Sequence, residues 1–211
     1  MMGTLAILPV KRFELAKTRL GEQLRPQQRR ALAQAMVSDV LDALLSSELL
    51  EAVVVVTNED AVAAFAGERG AQVLADPAES GQSAAALIGI GHALDAGYDR
   101  VLLVPGDCPA LDAASLRTLL ERPMAPPAVT IVSDRAGSGT NALLLAPPDA
   151  IEPGFGPGSF ARHRERCEHA RAHWHSEPLA GLLLDIDTPE DLEALRSVHA
   201  GRATAAVLAE L

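Results

Sequence analysis

The sequence predicts an α/β fold of three layers, in which helices cover both faces of a mostly parallel β-sheet. Apolar runs of strand length alternate with longer segments whose apolar residues recur at helical spacing, a pattern typical of strand-helix-strand units. The run 101–104 is apolar at every position, as in parallel strands that are buried on both sides. At 211 residues and 48% hydrophobic composition, the chain is predicted to form one domain over residues 1–211.

The formal net charge of −10 argues against a nucleic-acid partner, because an acidic chain is repelled by a phosphate backbone. No window reaches the roughly 18 apolar residues that a membrane span needs. The N-terminus lacks the charged-then-apolar layout of a signal peptide. We therefore expect a soluble, cytoplasmic protein that does not bind a membrane.

Two cysteines, Cys108 and Cys167, form no CxxC pair and no disulfide framework, which indicates a reducing compartment. No base is evident for Cys108 as a nucleophile, so we interpret it as a small buried side chain. A zinc site made of Cys167 and the neighbouring histidines is disfavoured, because a helix and a short strand would scatter those side chains.

The first half of the chain alternates strands and helices. Pro26 near a first turn, Asn58 as a helix N-cap and Gly81 before an alanine-rich stretch mark three predicted helix starts. The predicted strands are 5–8, 52–57 and 73–75, and the predicted helices are 26–47, 58–68 and 81–96. The amides at the start of the last helix, with the Gln82 side chain, are expected to face the carboxyl edge of the sheet.

The strand at 101–104 ends at Pro105 and Gly106, which places Asp107 at the carboxyl edge of the predicted sheet. Ligands bind at that edge in open α/β sheets, so Asp107 is a candidate ligand of a metal-phosphate group. The alternative is that Asp107 only shapes a turn. A helix over 112–121 and a strand over 129–132 are predicted to follow.

A basic segment, VKRFELAKTRL at 10–20, follows the first predicted strand of this otherwise acidic chain. It contains Lys11, Arg12, Lys17 and Arg19. Since a loop in that position lies at the carboxyl edge, the segment could neutralise a polyphosphate. A solvated amphipathic segment is the alternative.

Two glycine-rich segments, 134–141 and 154–163, could close backbone amides around an anion. The first is equally compatible with a simple hairpin. The second leads into a polar helix, for which Ser159 is the predicted cap and Arg162 lies within the first turn.

The run 182–187 is predicted to be a strand that ends in Asp185 and Asp187, both on one face. Thr188, Pro189 and Asp191 follow with the spacing of a capping box. Two acidic strand ends and a basic loop suit a magnesium-polyphosphate site.

These segments carry a resemblance that covers nearly the whole chain. The matching pieces, in order, are VKRFELAKTRL at 10–20, LADPAESGQSAA at 74–85, PGDCPAL at 105–111, DRAGSGTNALL at 134–144, FGPGSFARH at 155–163 and LDIDTPEDL at 184–192. The chain resembles the 2-phospho-L-lactate or phosphoenolpyruvate guanylyltransferases of deazaflavin coenzyme (F-420) biosynthesis. Their fold is Rossmann-like and similar to nucleotide-diphospho-sugar transferases and to molybdenum-cofactor nucleotidyltransferases. The latter carry a Gly-Gly-x-Ser-x-Arg-Met loop after strand one, where this chain has the basic segment.

The resemblance implies transfer of GMP from GTP to a small phosphorylated acid, with release of pyrophosphate and delivery of the product to a downstream deazaflavin transferase. It implies Mg²⁺ as cofactor, with Asp107 and Asp185 as ligands and Asp187 as an outer-shell partner. The sequence does not decide whether Asp185 or Asp187 is the second ligand. The implied nucleotide-binding residues are Lys11, Lys17, Gly81 and Gln82; the implied acceptor-binding residues are Thr140, Gly156 and Ser159; and the implied catalytic residues are Lys11, Lys17 and Asp107. No general base is required, because a phosphate nucleophile is already ionised.

Three alternatives remain at the level of sequence. The acceptor could be a molybdopterin or a sugar phosphate, or the chain could be a nucleotide-binding regulatory domain without activity. A dinucleotide-dependent dehydrogenase is disfavoured, because Gly89 and Gly91 lie inside a predicted helix rather than after a strand. The sequence does not choose among phosphoenolpyruvate, 2-phospholactate and 3-phosphoglycerate, and it leaves the oligomeric state open.

Overall fold

The computed structural model describes residues 3–13 and 17–211. In these residues one sheet contains seven strands in the order β3-β2-β1-β4-β6-β5-β7. The strands are β1 (Thr4–Val10), β2 (Ala52–Thr57), β3 (Gln72–Ala75), β4 (Arg100–Leu103), β5 (Ala128–Ser133), β6 (Thr140–Ala146) and β7 (His173–Ser176). The helices are α1 (Pro26–Leu45), α2 (Asp60–Glu68), α3 (Gln82–Ala96), α4 (Ala113–Leu120), α5 (Ser159–Ala170), α6 (Pro189–Leu195) and α7 (Arg202–Leu208).

The sheet is parallel except for β6. Strand β1 lies inside the sheet, where Ile7 pairs with Val54 of β2 on one side and with Leu103 of β4 on the other. Strand β6 runs antiparallel to both of its neighbours, β4 and β5, and β7 runs parallel to β5. The predicted mostly parallel sheet is therefore confirmed.

Helices pack on both faces of this sheet, as predicted. From β1, Ala6 and Leu8 belong to a buried cluster that includes Val40 of α1, whereas Leu5 and Ile7 belong to a second cluster with Ile90 of α3. Alternate side chains of β1 thus enter opposite cores, which explains why its strand is apolar at nearly every position. No helix in the described part of the chain combines the length and apolarity needed to cross a bilayer.

Helix α3 approaches β1 closely at Gly89. A Cβ atom added there would lie 2.5 Å from Cγ2 of the buried Ile7, whereas a Cβ at Gly91, two residues further on, would contact nothing within 4 Å. Gly89→Ala is expected to be destabilising by about 1 kcal/mol, because overpacking costs roughly 1–3 kcal/mol and alanine recovers about 1 kcal/mol of helix propensity. Gly91→Ala gains helix propensity without overpacking and should therefore stabilise the protein. Chemical denaturation of both variants tests this; equal effects of the two substitutions would contradict it.

Two predicted elements are wrong in detail. Helix α2 begins at Asp60 with Glu59 at the N-cap, and the Asn58 side chain instead donates to Oε1 of Glu79 at 2.6 Å. The predicted strand 182–187 does not form: Ala180–Leu182 is a 3₁₀ turn and the chain beyond it is irregular. Its apolar residues Leu184 and Ile186 pack in a buried cluster with α1 and α6 rather than in the sheet.

Helix starts near the sheet edge follow the predictions in part. The capping box at Thr188 is confirmed, since its backbone N–H donates to Asp191 at 2.9 Å and its hydroxyl accepts from the Asp191 amide. Helix α5, however, has Gly158 at its N-cap in a left-handed conformation, so Ser159 is the first helical residue rather than the cap. The segment 134–139 joins β5 to the antiparallel β6, which makes it the hairpin that the sequence left as an alternative.

Candidate active site

Two hollows open at the carboxyl edge of β1 and β4 and share a common wall. The first hollow, of about 390 Å³, is lined by the segment after β1, by α1 and by the start of α3. The second hollow, of about 500 Å³, is lined by the two glycine-rich loops and by 184–191. Arg19, Gln82, Pro105, Asp107 and Asp187 line both. A ligand in one hollow would therefore meet a ligand in the other at Asp107.

Lys17 lines the first hollow and forms ion pairs with two residues of the shared wall. Its Nζ donates to Oδ2 of Asp107 at 2.7 Å and to Oδ1 of Asp187 at 2.8 Å, and its side chain is only 7% exposed. Burial alone would lower the pKa of Lys17, but the attraction of Asp107 and Asp187 outweighs burial and raises the pKa above its usual range. Lys17 is consequently a permanent cation.

Asp185 lies beside this ion pair and is held by Asn141, whose Nδ2 donates to it at 3.2 Å and to the Leu182 carbonyl at 2.7 Å. Burial and the neighbouring charge of Asp107 raise the pKa of Asp185. Asp187 behaves oppositely, because the charge of Lys17 overcomes the effect of burial and lowers its pKa. Asp185 and Asp187 both line the second hollow, from an irregular segment rather than from the predicted strand.

The donor set at this point fits a hard divalent cation. In the described residues no three or more His, Cys, Asp or Glu side chains are grouped to hold a metal by themselves. Magnesium is commonly bound by only one or two protein carboxylates, with phosphate oxygens and water completing its octahedron. Burial raises the pKa of Asp185 and the charge of Asp107 raises it further, so a cation between these two carboxylates would relieve their repulsion.

The basic segment supplies cations to the first hollow. Lys11 is exposed and lines it, and Arg19 lines both hollows. Arg12 instead donates from Nε to Glu79 at 2.8 Å, across the rim of the first hollow. Arg19 was not among the predicted site residues, although it belongs to the same basic segment of the sequence and could have been included for that reason. Residues 14–16 of this run lie outside the described residues.

The remaining predicted residues divide between the hollows. Gly81, the N-cap of α3, and Gln82 line the first hollow, and Gln82 reaches the second as well. Thr140, Gly156 and Ser159 line the second hollow, where the Thr140 and Ser159 residues are 7% and 1% exposed. The amide of Phe160 donates to the Ser138 carbonyl at 3.1 Å and ties the two glycine-rich loops together. The structure thus gathers all the predicted site residues around one cleft.

His163 is a buried residue behind the second hollow that the sequence did not single out. Its Nδ1 lies 2.9 Å from Oγ1 of Thr140, and its Nε2 accepts from the backbone N–H of Gly154 at 2.8 Å. Burial, and then the charges of Arg166 and Arg162, lower the pKa of His163 to about 4. The available signal was its position four residues after Ser159, which places both on one face of α5.

The buried His163 is expected to make stability fall with acidity. Its ordinary pKa of 6.5 applies to the unfolded chain, whereas the folded value is about 4. Between these values the unfolded state binds more protons, so the free energy of unfolding falls as pH decreases, by about 3 kcal/mol in total from this group. Denaturation at pH 7.5 and pH 4.5 should show this loss in the wild type and a smaller loss in His163→Asn. Parallel profiles for the two proteins would contradict it.

The family model and the curated relatives that match this sequence are all described as guanylyltransferases. A family model described as "Guanylyl transferase CofC like" matches residues 4–209. A phosphoenolpyruvate guanylyltransferase of Conexibacter woesei is 47% identical over 202 residues, which cover 95% of this chain and 91% of the relative. One from Sphaerobacter thermophilus is 38% identical over 194 residues, covering 92% and 93% of the two chains.

Solved structures share the fold at low sequence identity. A putative nucleotide-diphospho-sugar transferase from Desulfovibrio desulfuricans aligns with a TM-score of 0.77 and 21% identity, covering 100% of this chain and 95% of the other. A nucleotidyl transferase from Methanothermobacter thermautotrophicus aligns with a TM-score of 0.71 and 18% identity, covering 93% and 96%. These similarities confirm the predicted fold class.

Proposed function

Because this chain belongs to the guanylyl transferase CofC-like family, we propose that it transfers GMP from GTP to phosphoenolpyruvate and releases pyrophosphate. The acceptor is chosen from the names of the curated relatives, which are phosphoenolpyruvate guanylyltransferases. The observation that carries the proposal is the meeting of two hollows at Asp107 and Asp187, both of which are bonded to Lys17, since a transfer reaction needs two ligands in contact. The product would pass to a deazaflavin transferase of F-420 biosynthesis.

We assign GTP to the first hollow. Lys11 and Lys17 would contact its phosphates, and the start of α3, at Gly81 and Gln82, offers backbone amides and a side-chain amide. Arg19 lines both hollows and would contact phosphates on either side. This collection of cations is matched to the charge of a triphosphate in a chain whose net charge is −10.

We assign phosphoenolpyruvate to the second hollow. Thr140 and Ser159 offer hydroxyls, and Gly156, which has φ of 105°, belongs to a loop whose backbone can approach an anion closely. In the described residues the Ser159 hydroxyl has no protein hydrogen-bond partner, so it is available to a ligand oxygen.

The reaction needs positioning and charge rather than a base. An ionised phosphate oxygen of the acid attacks the α-phosphorus of GTP, a new P–O bond forms, and the bond to pyrophosphate breaks. Lys17 and Lys11 would offset the negative charge that develops on the transferred group and the leaving pyrophosphate. No proton has to be removed from the nucleophile.

Asp107 and Asp185 would hold Mg²⁺, with Asp187 in the outer shell. When bound, the ion supplies neutralisation and orientation of phosphate oxygens. Lys17 balances part of the carboxylate charge at this point, and its two hydrogen bonds hold the side chains of Asp107 and Asp187 in their orientations.

The test is an assay of the purified protein with GTP, Mg²⁺ and one acid at a time, namely phosphoenolpyruvate, 2-phospholactate or 3-phosphoglycerate. A coupled downstream transferase and mass spectrometry identify the product. Pyrophosphate release should require GTP and phosphoenolpyruvate together. Release with another acid only would overturn the acceptor assignment. Thermal stabilisation by GTP without release under any acid would indicate a binding domain.

Ser159→Ala tests the division between the hollows. Loss of a hydrogen bond to a charged ligand is worth roughly 1.5–3 kcal/mol, so the KM for phosphoenolpyruvate should rise about ten- to a hundredfold. The KM for GTP should change little. Ser197→Ala is the control, because that hydroxyl donates to the Ala194 carbonyl at 2.7 Å and lines neither hollow. A raised KM for GTP with an unchanged KM for the acid would reverse the two assignments.

A further inference from the structure

The two hydrogen bonds of His163 determine its tautomer. The backbone N–H of Gly154 can only donate, so Nε2, which lies 2.8 Å away, must carry no hydrogen. With its pKa lowered to about 4, the ring is neutral near pH 7 and carries its single hydrogen on Nδ1. The Nδ1–H therefore donates to Oγ1 of Thr140, at 2.9 Å.

The tautomer in turn determines the direction of the Thr140 hydroxyl. Its oxygen accepts from His163, so the hydroxyl hydrogen must be donated to a different acceptor. Over residues 3–13 and 17–211 the structure gives this hydroxyl no second protein partner. Thr140 lines the second hollow, so the hydrogen is available to a ligand there.

We infer that His163 is a positioning residue that keeps the hydrogen of the Thr140 hydroxyl turned away from the ring, so that it is donated to a phosphate or carboxylate oxygen of the acid substrate. This inference rests on the proposed function, because it concerns the same hollow. It explains why a histidine is buried where it lines neither hollow: a free hydroxyl can turn its hydrogen in several directions, and the fixed ring turns that hydrogen away from His163.

The competing explanation is that His163 only ties the loop at Gly154 to α5. Two substitutions separate the explanations, since each keeps one of the two bonds. Asparagine places its amide nitrogen as many bonds from Cβ as Nδ1 and can still donate to Thr140, but it does not reach Gly154. Glutamine is long enough to accept from Gly154 through Oε1, but it leaves Thr140 without the fixed donor.

Steady-state kinetics with GTP and phosphoenolpyruvate provide the first measurement. His163→Gln should raise the KM for phosphoenolpyruvate about tenfold, as expected for a weakened hydrogen bond to a charged group, and leave the KM for GTP unchanged. His163→Asn should stay within about threefold of the wild type. The reverse order, with asparagine more harmful than glutamine, would overturn the inference in favour of the loop-tethering role.

A double-mutant cycle provides the second measurement. If His163 acts through the Thr140 hydroxyl, His163→Gln should have no further effect on the KM of the acid in a Thr140→Val background. Additive effects of the two substitutions would overturn the inference. Circular dichroism of each variant checks that the comparison is made on folded protein.

Nitrogen-15 NMR of the imidazole provides a readout that does not depend on activity. The wild type should show a protonated Nδ1 and a bare Nε2 for His163, whose signals are identified by their loss in His163→Asn. A protonated Nε2 would overturn the inference whatever the kinetics. Calorimetry with phosphoenolpyruvate distinguishes failure of the proposed function from failure of the role of His163. Absence of binding by the wild type would contradict both. Binding by the wild type, with asparagine more harmful than glutamine at position 163, would contradict only the role of His163.

Discussion

Asp107→Asn is expected to reduce GMP transfer by about three orders of magnitude while leaving the fold intact. The substitution keeps the shape of the side chain and removes its charge. Asp107 accepts from Lys17 at 2.7 Å and lies where the two hollows meet. Loss of a carboxylate that positions both Lys17 and the proposed Mg²⁺ should cost about 4 kcal/mol of transition-state stabilisation, which corresponds to roughly a thousandfold in rate. Pyrophosphate release under saturating substrates measures the change in kcat.

Asp112→Asn is the matched control for Asp107→Asn. Asp112 lies five residues further along the chain, and its Oδ1 accepts from the Ser115 amide at 2.7 Å as the N-cap of α4. Asparagine caps helices about as well as aspartate, so this variant should keep both its activity and its stability. Turnover of Asp107→Asn close to that of the control, with unchanged magnesium dependence, would remove Asp107 from the active site.

The sequence predicted the elements whose patterns are unambiguous. Strands β2 and β4 are short apolar runs followed closely by turn-forming residues, and α1 and α3 are long enough for helical spacing to be clear. Strand β1 is an apolar run too, although it continues through Pro9 to Val10. The antiparallel direction of β6 could not be read in this way, because alternation of side chains is the same in either direction. The apolar run 182–187 was mistaken for a strand because Leu184 and Ile186 are buried against helices rather than in the sheet.

The candidate site was predictable to the extent that its residues lie at strand ends or in a basic run. Asp107 follows β4 and Lys11 follows β1, so both had to reach the same edge. The contacts of Lys17 could not be predicted, since its partners are 90 and 170 positions away in sequence. His163 was missed because a histidine on a helix gives no sign of burial or of its partners. The roles assigned to all these residues stay predictions until variants are assayed.

Lys17→Met is expected to have the second large effect and to change two properties at once. The ammonium is 7% exposed and lies between carboxylates that are 27% and 48% exposed, those of Asp107 and Asp187. Methionine keeps most of the side-chain volume but leaves these two carboxylates without their cation. Removal of a preorganised donor to the transferred phosphate should lower kcat about a hundred- to a thousandfold. The free energy of unfolding in the absence of divalent cations should fall by about 1–3 kcal/mol, since the freed carboxylates remain partly hydrated.

The response to Mg²⁺ should distinguish loss of the Lys17 charge from a general loss of packing. Without the ammonium, the carboxylates of Asp107, Asp185 and Asp187 are free to bind an added cation, so Mg²⁺ should raise the melting temperature of Lys17→Met more than that of the wild type. Lys11→Met is the control, because Lys11 is exposed and donates no hydrogen bond to a described residue. That variant should raise the KM for GTP and leave the stability and its magnesium response as in the wild type. Equal magnesium responses in Lys17→Met and the wild type would show that Lys17 does not compete with a cation at these carboxylates.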